Sequence, residues 1–166
     1  MRAYEAWSEL SQNLHHEILE SAYIHNKKLY RNLIEDMAQN LRFRPQRLLD
    51  TPRKERHAQF HILLGLPNFD ILAQNLLMSW LLCAEWTMMG AFLDELKIPH
   101  DGKGCVEHLP EKVDENLLKK SVENLYQKFD PEKVSLYLKT FDTVGGQHWI
   151  TPEMIHAKAE TIASPI

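Results

Sequence analysis

Nine histidines in 166 residues are the first chemical feature of this chain, and two pairings have the spacing that lets one helix face offer two ligands to a metal. His16 and Glu20 stand at i and i+4, as do His57 and His61. Residues four apart are neighbours on a helix surface, so each pair can aim at one ion. Glu85, the only charge between Ile71 and Leu93, is a fifth candidate. A second set lies between Pro99 and Pro110, where His100 precedes a Cys105-x2-His108 arrangement. A structural zinc site needs a fourth protein ligand as a rule, and no second Cys-x2-Cys or Cys-x2-His pair is present. Asp101-Gly102-Lys103-Gly104 in the same segment reads as a turn with its glycines at positive φ. A phosphate-binding loop needs a preceding strand and a fuller glycine pattern. Arg53 and Lys54 fall at a helix start, where the dipole disfavours cations. An anion would relieve them, and solvation is the simpler account. Nucleophilic catalysis has no support: there is no Gly-x-Ser-x-Gly turn, and neither Cys83 nor Cys105 has the context of a nucleophile.

The pairs His16/Glu20 and His57/His61 resemble part of the ligand set of hemerythrin-like bundles, which combine His-x3-Glu with His-x3-His from several helices. That resemblance implies a metal held inside a helical bundle. It covers these two pairs alone. A further helix of such a bundle brings a His followed five residues later by Asp, and none of His100, His108, His148 or His156 is so followed. Ferritin-like di-iron proteins need two Glu-x-x-His elements, and that pair is absent as well, since Glu153-x-x-His156 stands alone.

These residues are carried by helices. From Ala3 to Phe43 there is no Gly or Pro, and apolar residues recur at three- and four-residue steps through Trp7, Leu10, Leu14, Ile18 and Ala22, then Leu29, Leu33, Met37 and Leu41. This predicts one long amphipathic helix, or two broken near His25-Asn26, ending by Arg44 ahead of Pro45. A connector containing Leu48 and Leu49 follows. Thr51-Pro52 then reads as N-cap and first residue of a helix to about Leu64. Asn68-Phe69-Asp70 opens the most apolar segment, read as a central helix from Asn68 to Leu96, and Cys83 is expected to be buried in it. That run is long enough for a membrane span, but Gln74, Asn75, Ser79, Glu85 and Thr87 interrupt it and no membrane is expected. Further helices are predicted from Asp114 to Phe129, from Asp130-Pro131-Glu132 to Gly145-Gly146, and from Thr151-Pro152-Glu153. No strand-like alternation competes. The fold class is all-α, a helical bundle of about six or seven helices in one domain spanning 1–166.

Composition is that of a globular protein, with 44% hydrophobic and 25% charged residues and only 6 Gly. A net charge of -4 and a pI near 6.1 argue against general nucleic-acid binding, which needs a concentrated basic face. Two cysteines and an N-terminus without a signal-type apolar core point to the cytoplasm. No reaction is named by these residues. The favoured reading is a non-catalytic helical protein without a cofactor, acting through helix-mediated contacts with itself, as a homodimer, or with a protein partner. The rival is a metal- or small-ligand-binding bundle, oxidoreductases included, built on the histidines and Glu85. The long first helix should outrun the domain and project Trp7 to Ile18 into a dimer interface. Glu85 should be buried and paired with a His or Arg from another helix. Tight metal in the bundle core is not expected, because only four helical ligands and Glu85 are available.

Overall fold

The structure is a computed structural model that describes residues 1–145 and 147–156. Among the described residues it is all-α, with no strand. The helices are shorter and more numerous than the apolar periodicity predicts. They fall into two compact units that meet between Ala84 and Glu85 in the sequence.

The first unit holds α1 (Ala3–Ser8), α2 (Gln12–His25), α3 (Lys27–Leu41), α4 (Pro45–Asp50), α5 (Arg53–Leu63) and α6 (Asp70–Ala84), the last entered through a 3-10 turn at Pro67–Phe69. The single N-terminal helix is thus three. One break falls at the predicted Asn26, whose side-chain oxygen accepts from Leu29 N at 3.1 Å and caps α3, while its amide donates to Ser79 Oγ on α6 at 3.1 Å. The other falls at Ser11, whose hydroxyl accepts from Leu14 N and caps α2. Polar residues that cap a start end the preceding helix more effectively than a periodic pattern sustains it. With the long helix broken, Trp7, Leu14 and Ile18 are buried within the chain instead of projecting. The ground for placing them in a dimer interface is thereby removed.

α3 closes with Arg42 in the left-handed region and Phe43 N donating to Ala38 O. Pro45 then begins α4, a short helix where a connector is expected, and Leu48 within it is buried. α5 begins one residue later than predicted. Pro52 takes the cap position, and the Thr51 hydroxyl donates back to Arg47 O. α1 and α2 both pack on α6, whose Ala73, Leu76, Leu77, Trp80 and Leu81 are buried. The predicted continuous helix from Asn68 to Leu96 ends at Ala84. Its last turn is exposed, including Cys83, contrary to the expectation of a buried thiol. Among the described residues no single helix is long and apolar enough to cross a membrane.

The second unit holds α7 (Trp86–Glu95), α8 (Glu115–Lys128), α9 (Pro131–Gly145) and α10 (Pro152–His156). Three of these starts are as predicted. Asp114 caps α8 by accepting from Leu117 N, the Asp130 carboxylate receives Glu132 N and Lys133 N at the start of α9, and Pro152 opens α10. Its core includes Phe92 of α7 edge-on to Tyr137 and Phe141 of α9, at ring centroid distances of 5.7 and 5.5 Å.

Asn26 serves two elements at once, so Asn26→Ala should lower stability by about 1–2 kcal/mol, with Ser79→Ala costing less because the cap survives it. Urea denaturation of both variants checks the order.

Candidate metal centre

Among the described residues, one group of potential metal ligands converges: His16, Glu20 and His57, whose ligating atoms all lie within 4.8 Å of one another. α2 supplies His16 and Glu20, and α5 supplies His57. His57 Nδ1 stands 3.6 Å and His16 Nε2 3.9 Å from the same oxygen, Glu20 Oε1. Ligands of a tetrahedral metal bound at about 2.1 Å are roughly 3.4 Å apart, so both His–Glu20 separations are within about half an ångström of that spacing, while the set as a whole spans up to 4.8 Å. His16 is 52% and Glu20 21% exposed while His57 is 2% exposed, so the centre is a pit with one buried wall and an open mouth.

The register of α5 against α2 comes from a second histidine cluster one turn away. Trp7 is fully buried. Its indole N–H donates to His61 O at 3.0 Å, and its own carbonyl accepts from His15 Nε2 at 2.6 Å, which fixes that nitrogen as the protonated one. The His15 ring lies 4.0 Å from the His61 ring and 4.4 Å from Trp7. His61 is therefore committed to packing and turns away from His57. The i, i+4 pair splits between two jobs.

His57 is built as a ligand would be. Tyr30 Oη lies 2.7 Å from its Nε2, while Nδ1 is buried with no hydrogen-bond partner and faces Glu20. The Tyr30 hydroxyl can donate to Nε2 or accept from Nε2–H, so it satisfies the outer nitrogen in either tautomer. Burial pushes the Tyr30 hydroxyl up to about 12, so it keeps its proton. Burial also holds His57 down at about 4, aided by His16, Arg56 and Arg53. The imidazole is neutral at physiological pH, the form that binds metal.

Cations surround this neutral ring. Arg53 Nε donates to Glu20 Oε1 at 2.8 Å, and the Arg53 guanidinium lies 4.3 Å over the Tyr23 ring. Arg53 thus finds its anion inside the chain, while Lys54 is exposed. Arg56, not singled out by the sequence, is buried beneath Tyr30 with its guanidinium 5.6 Å from that ring.

No family model, curated protein or solved structure matches this chain.

The other candidates go elsewhere. Glu85 is in the second unit, where its backbone forms the start of α7 and its half-buried carboxylate receives Lys133 Nζ at 2.8 Å. The partner is a lysine from α9, not the expected His or Arg. The loop set His100, Cys105 and His108 does not converge. His100 Nε2 lies 2.7 Å from Asp94 Oδ1, and its Nδ1 accepts from Gly102 N, so both ring nitrogens are used within the loop. Asp101 accepts from Lys103 N and Cys105 N, which holds its carboxyl below the usual range, and Gly102 and Gly104 take the predicted positive φ. Burial and the Asp101 charge push the Cys105 thiol up, away from the thiolate a metal needs.

His57 and Tyr30 were missed as a pair, although Tyr30 shares a stripe with Leu33, Ile34 and Met37, and His15 shares one with Ile18, Leu19 and Ala22. Those stripes are the signal that places both rings inside.

The pH dependence follows from the direction of the His57 shift. Its folded value of about 4 lies below the ordinary 6.5, so the unfolded chain takes the proton first as pH falls. This contribution is intact above about pH 6.5 and is lost between there and pH 4, up to about 3 kcal/mol. Urea midpoints at pH 7 and 4.5 should fall steeply for the wild type and less so for His57→Gln.

Proposed function

We propose that this chain is a metal-binding helical protein in which His16, Glu20 and His57 hold one divalent transition ion. The observation that carries this reading is His57 Nδ1, buried, without a hydrogen bond, and turned toward the carboxylate oxygen that His16 also faces. A desolvated ring nitrogen left unpaired costs about 1–3 kcal/mol, and a metal ion bound to the Nδ1 lone pair of the tautomer with its proton on Nε2 would recover it. Two imidazoles and one carboxylate suit zinc, iron(II), cobalt or nickel rather than calcium or magnesium, which prefer all-oxygen sites. Three protein ligands leave coordination positions open to water or a small molecule, the arrangement of reactive rather than structural centres. The set is smaller than the five helical ligands suggested by the sequence, and it stands at the edge of the first unit instead of its core.

Protein purified without a histidine tag should bind one equivalent of Co(II) or Zn(II). His57→Ala and His16→Ala should each weaken binding more than tenfold. Absence of binding in the wild type by calorimetry and cobalt absorption would sink the reading.

Self-association is a second reading, supported by exposed apolar residues around the corner between α5 and α6: Ile62 is 69%, Leu66 43% and Ile71 74% exposed. Light scattering at micromolar concentration should then give a dimer mass that Ile62→Glu with Ile71→Glu reduces to the monomer. A monomeric wild type dismisses it.

A further inference from the structure

The charges around His57 are unbalanced for a cation site. Arg53 and Arg56 both act on the ring, and on the Tyr30 hydroxyl bonded to it Glu20 is the carboxylate that opposes them. Arg53 donates to Glu20 Oε1, the oxygen on which both imidazoles converge, so a metal and this guanidinium compete for one acceptor. Arg56 is harder to account for. It is 6% exposed, its Nε has no hydrogen-bond partner, its NH1 reaches only Leu48 O at 3.4 Å, and among the described residues no carboxylate forms an ion pair with it. Buried guanidinium groups are ordinarily paired, because an uncompensated charge in a low-dielectric interior is costly. A dication added to His16, Glu20 and His57 would face two guanidinium groups with one carboxylate between them. Two deficits then lie around the site: the His57 Nδ1 without a partner, and one guanidinium N–H, that of Arg56 Nε, without an acceptor. No single ion satisfies both.

Resting on the metal reading above, we propose that the metal is held together with a small oxyanion of the carboxylate type, which fills its open positions and receives the Arg53 guanidinium in place of Glu20. The planar guanidinium fork matches two oxygens of such an anion, and the Tyr23 ring beneath it keeps the group beside the centre once it leaves Glu20. Arg56 supplies a fixed positive field from the buried side, which favours an anionic ligand over a neutral one. The preferred occupant is therefore a metal–carboxylate pair, so metal and anion raise each other's affinity by the same factor. Arg53 is a positioning and specificity residue here, and it also explains why metal alone should bind weakly.

The test uses Co(II) as metal and acetate as anion, with chloride at equal ionic strength as control. Replacing chloride by saturating acetate should tighten Co(II) binding to the wild type by about fivefold or more and shift its visible absorption band. In Arg53→Gln, a substitution at a half-exposed residue, Co(II) in chloride should bind more tightly than in the wild type, because a competing cation is gone, and acetate should change it less than about twofold. Equal enhancement by acetate in both proteins, or enhancement in neither while Co(II) still binds, would overturn the anion proposal and leave the metal site standing. No Co(II) binding to the wild type in either salt would remove the metal reading itself, and this proposal with it.

Discussion

Trp7 is the residue on which the arrangement of the first unit turns. Its side chain is fully buried, its indole N–H meets a carbonyl near the end of α5, and its own carbonyl at the end of α1 meets a ring from α2. Helix ends leave carbonyls unsatisfied, and burying them without donors is expensive. One aromatic residue thus supplies a donor to one helix end, while at another its own carbonyl, which already accepts from Leu10 N, takes a second donor from His15, and the rings of His15 and His61 pack between them. This locks α5 against α2 at one register. His57, one turn before His61, has no choice but to face His16 and Glu20.

The electrostatics of the pit follow from that register. A histidine taken out of water next to two guanidinium groups stays neutral, so the ring contributes a lone pair instead of a charge. Tyr30 makes this tolerable because a hydroxyl pairs with either form of the neighbouring nitrogen. Glu20 balances the nearer guanidinium at rest. Competition for that carboxylate between Arg53 and the imidazoles is the feature most able to set what the site accepts.

The remaining histidines and cysteines show how ligand-like residues are absorbed by structure. His15 and His61 pack a helix junction, and His100 closes its own loop through Asp94 and Gly102. The loop after α7 is pinned from below as well, since a Cβ on Gly104 would lie 2.5 Å from the Met89 side chain. Glu85 ends as half of an ion pair at a helix start. His15, His100 and Glu85 each spend a polar atom on a neighbouring partner, and His61 spends its ring on packing with its Nδ1 left unpaired, which is why spacing alone overstates the number of ligands.

All-α character, the helix starts at Asp114, Asp130 and Thr151-Pro152 and the positive-φ glycines of the loop were determined by the sequence, which offered the break near Asn26 only as one of two alternatives. Each depends on a residue and its immediate neighbours: a capping oxygen, a restricted φ, a missing Cβ. The second break at Ser11, the end of α6 at Ala84 and the exposure of Cys83 were not legible, because periodicity reports which face is apolar and not where that face stops being covered. Half of the candidate site was legible too: His16 and Glu20 share a helix face by spacing alone. That His57 joins them while His61 leaves, that Tyr30 stands behind His57, and that Arg53 takes the shared carboxylate were decided by tertiary structure. Those contacts join residues 27 to 54 positions apart, and they exist only once Trp7 has set α5 against α2.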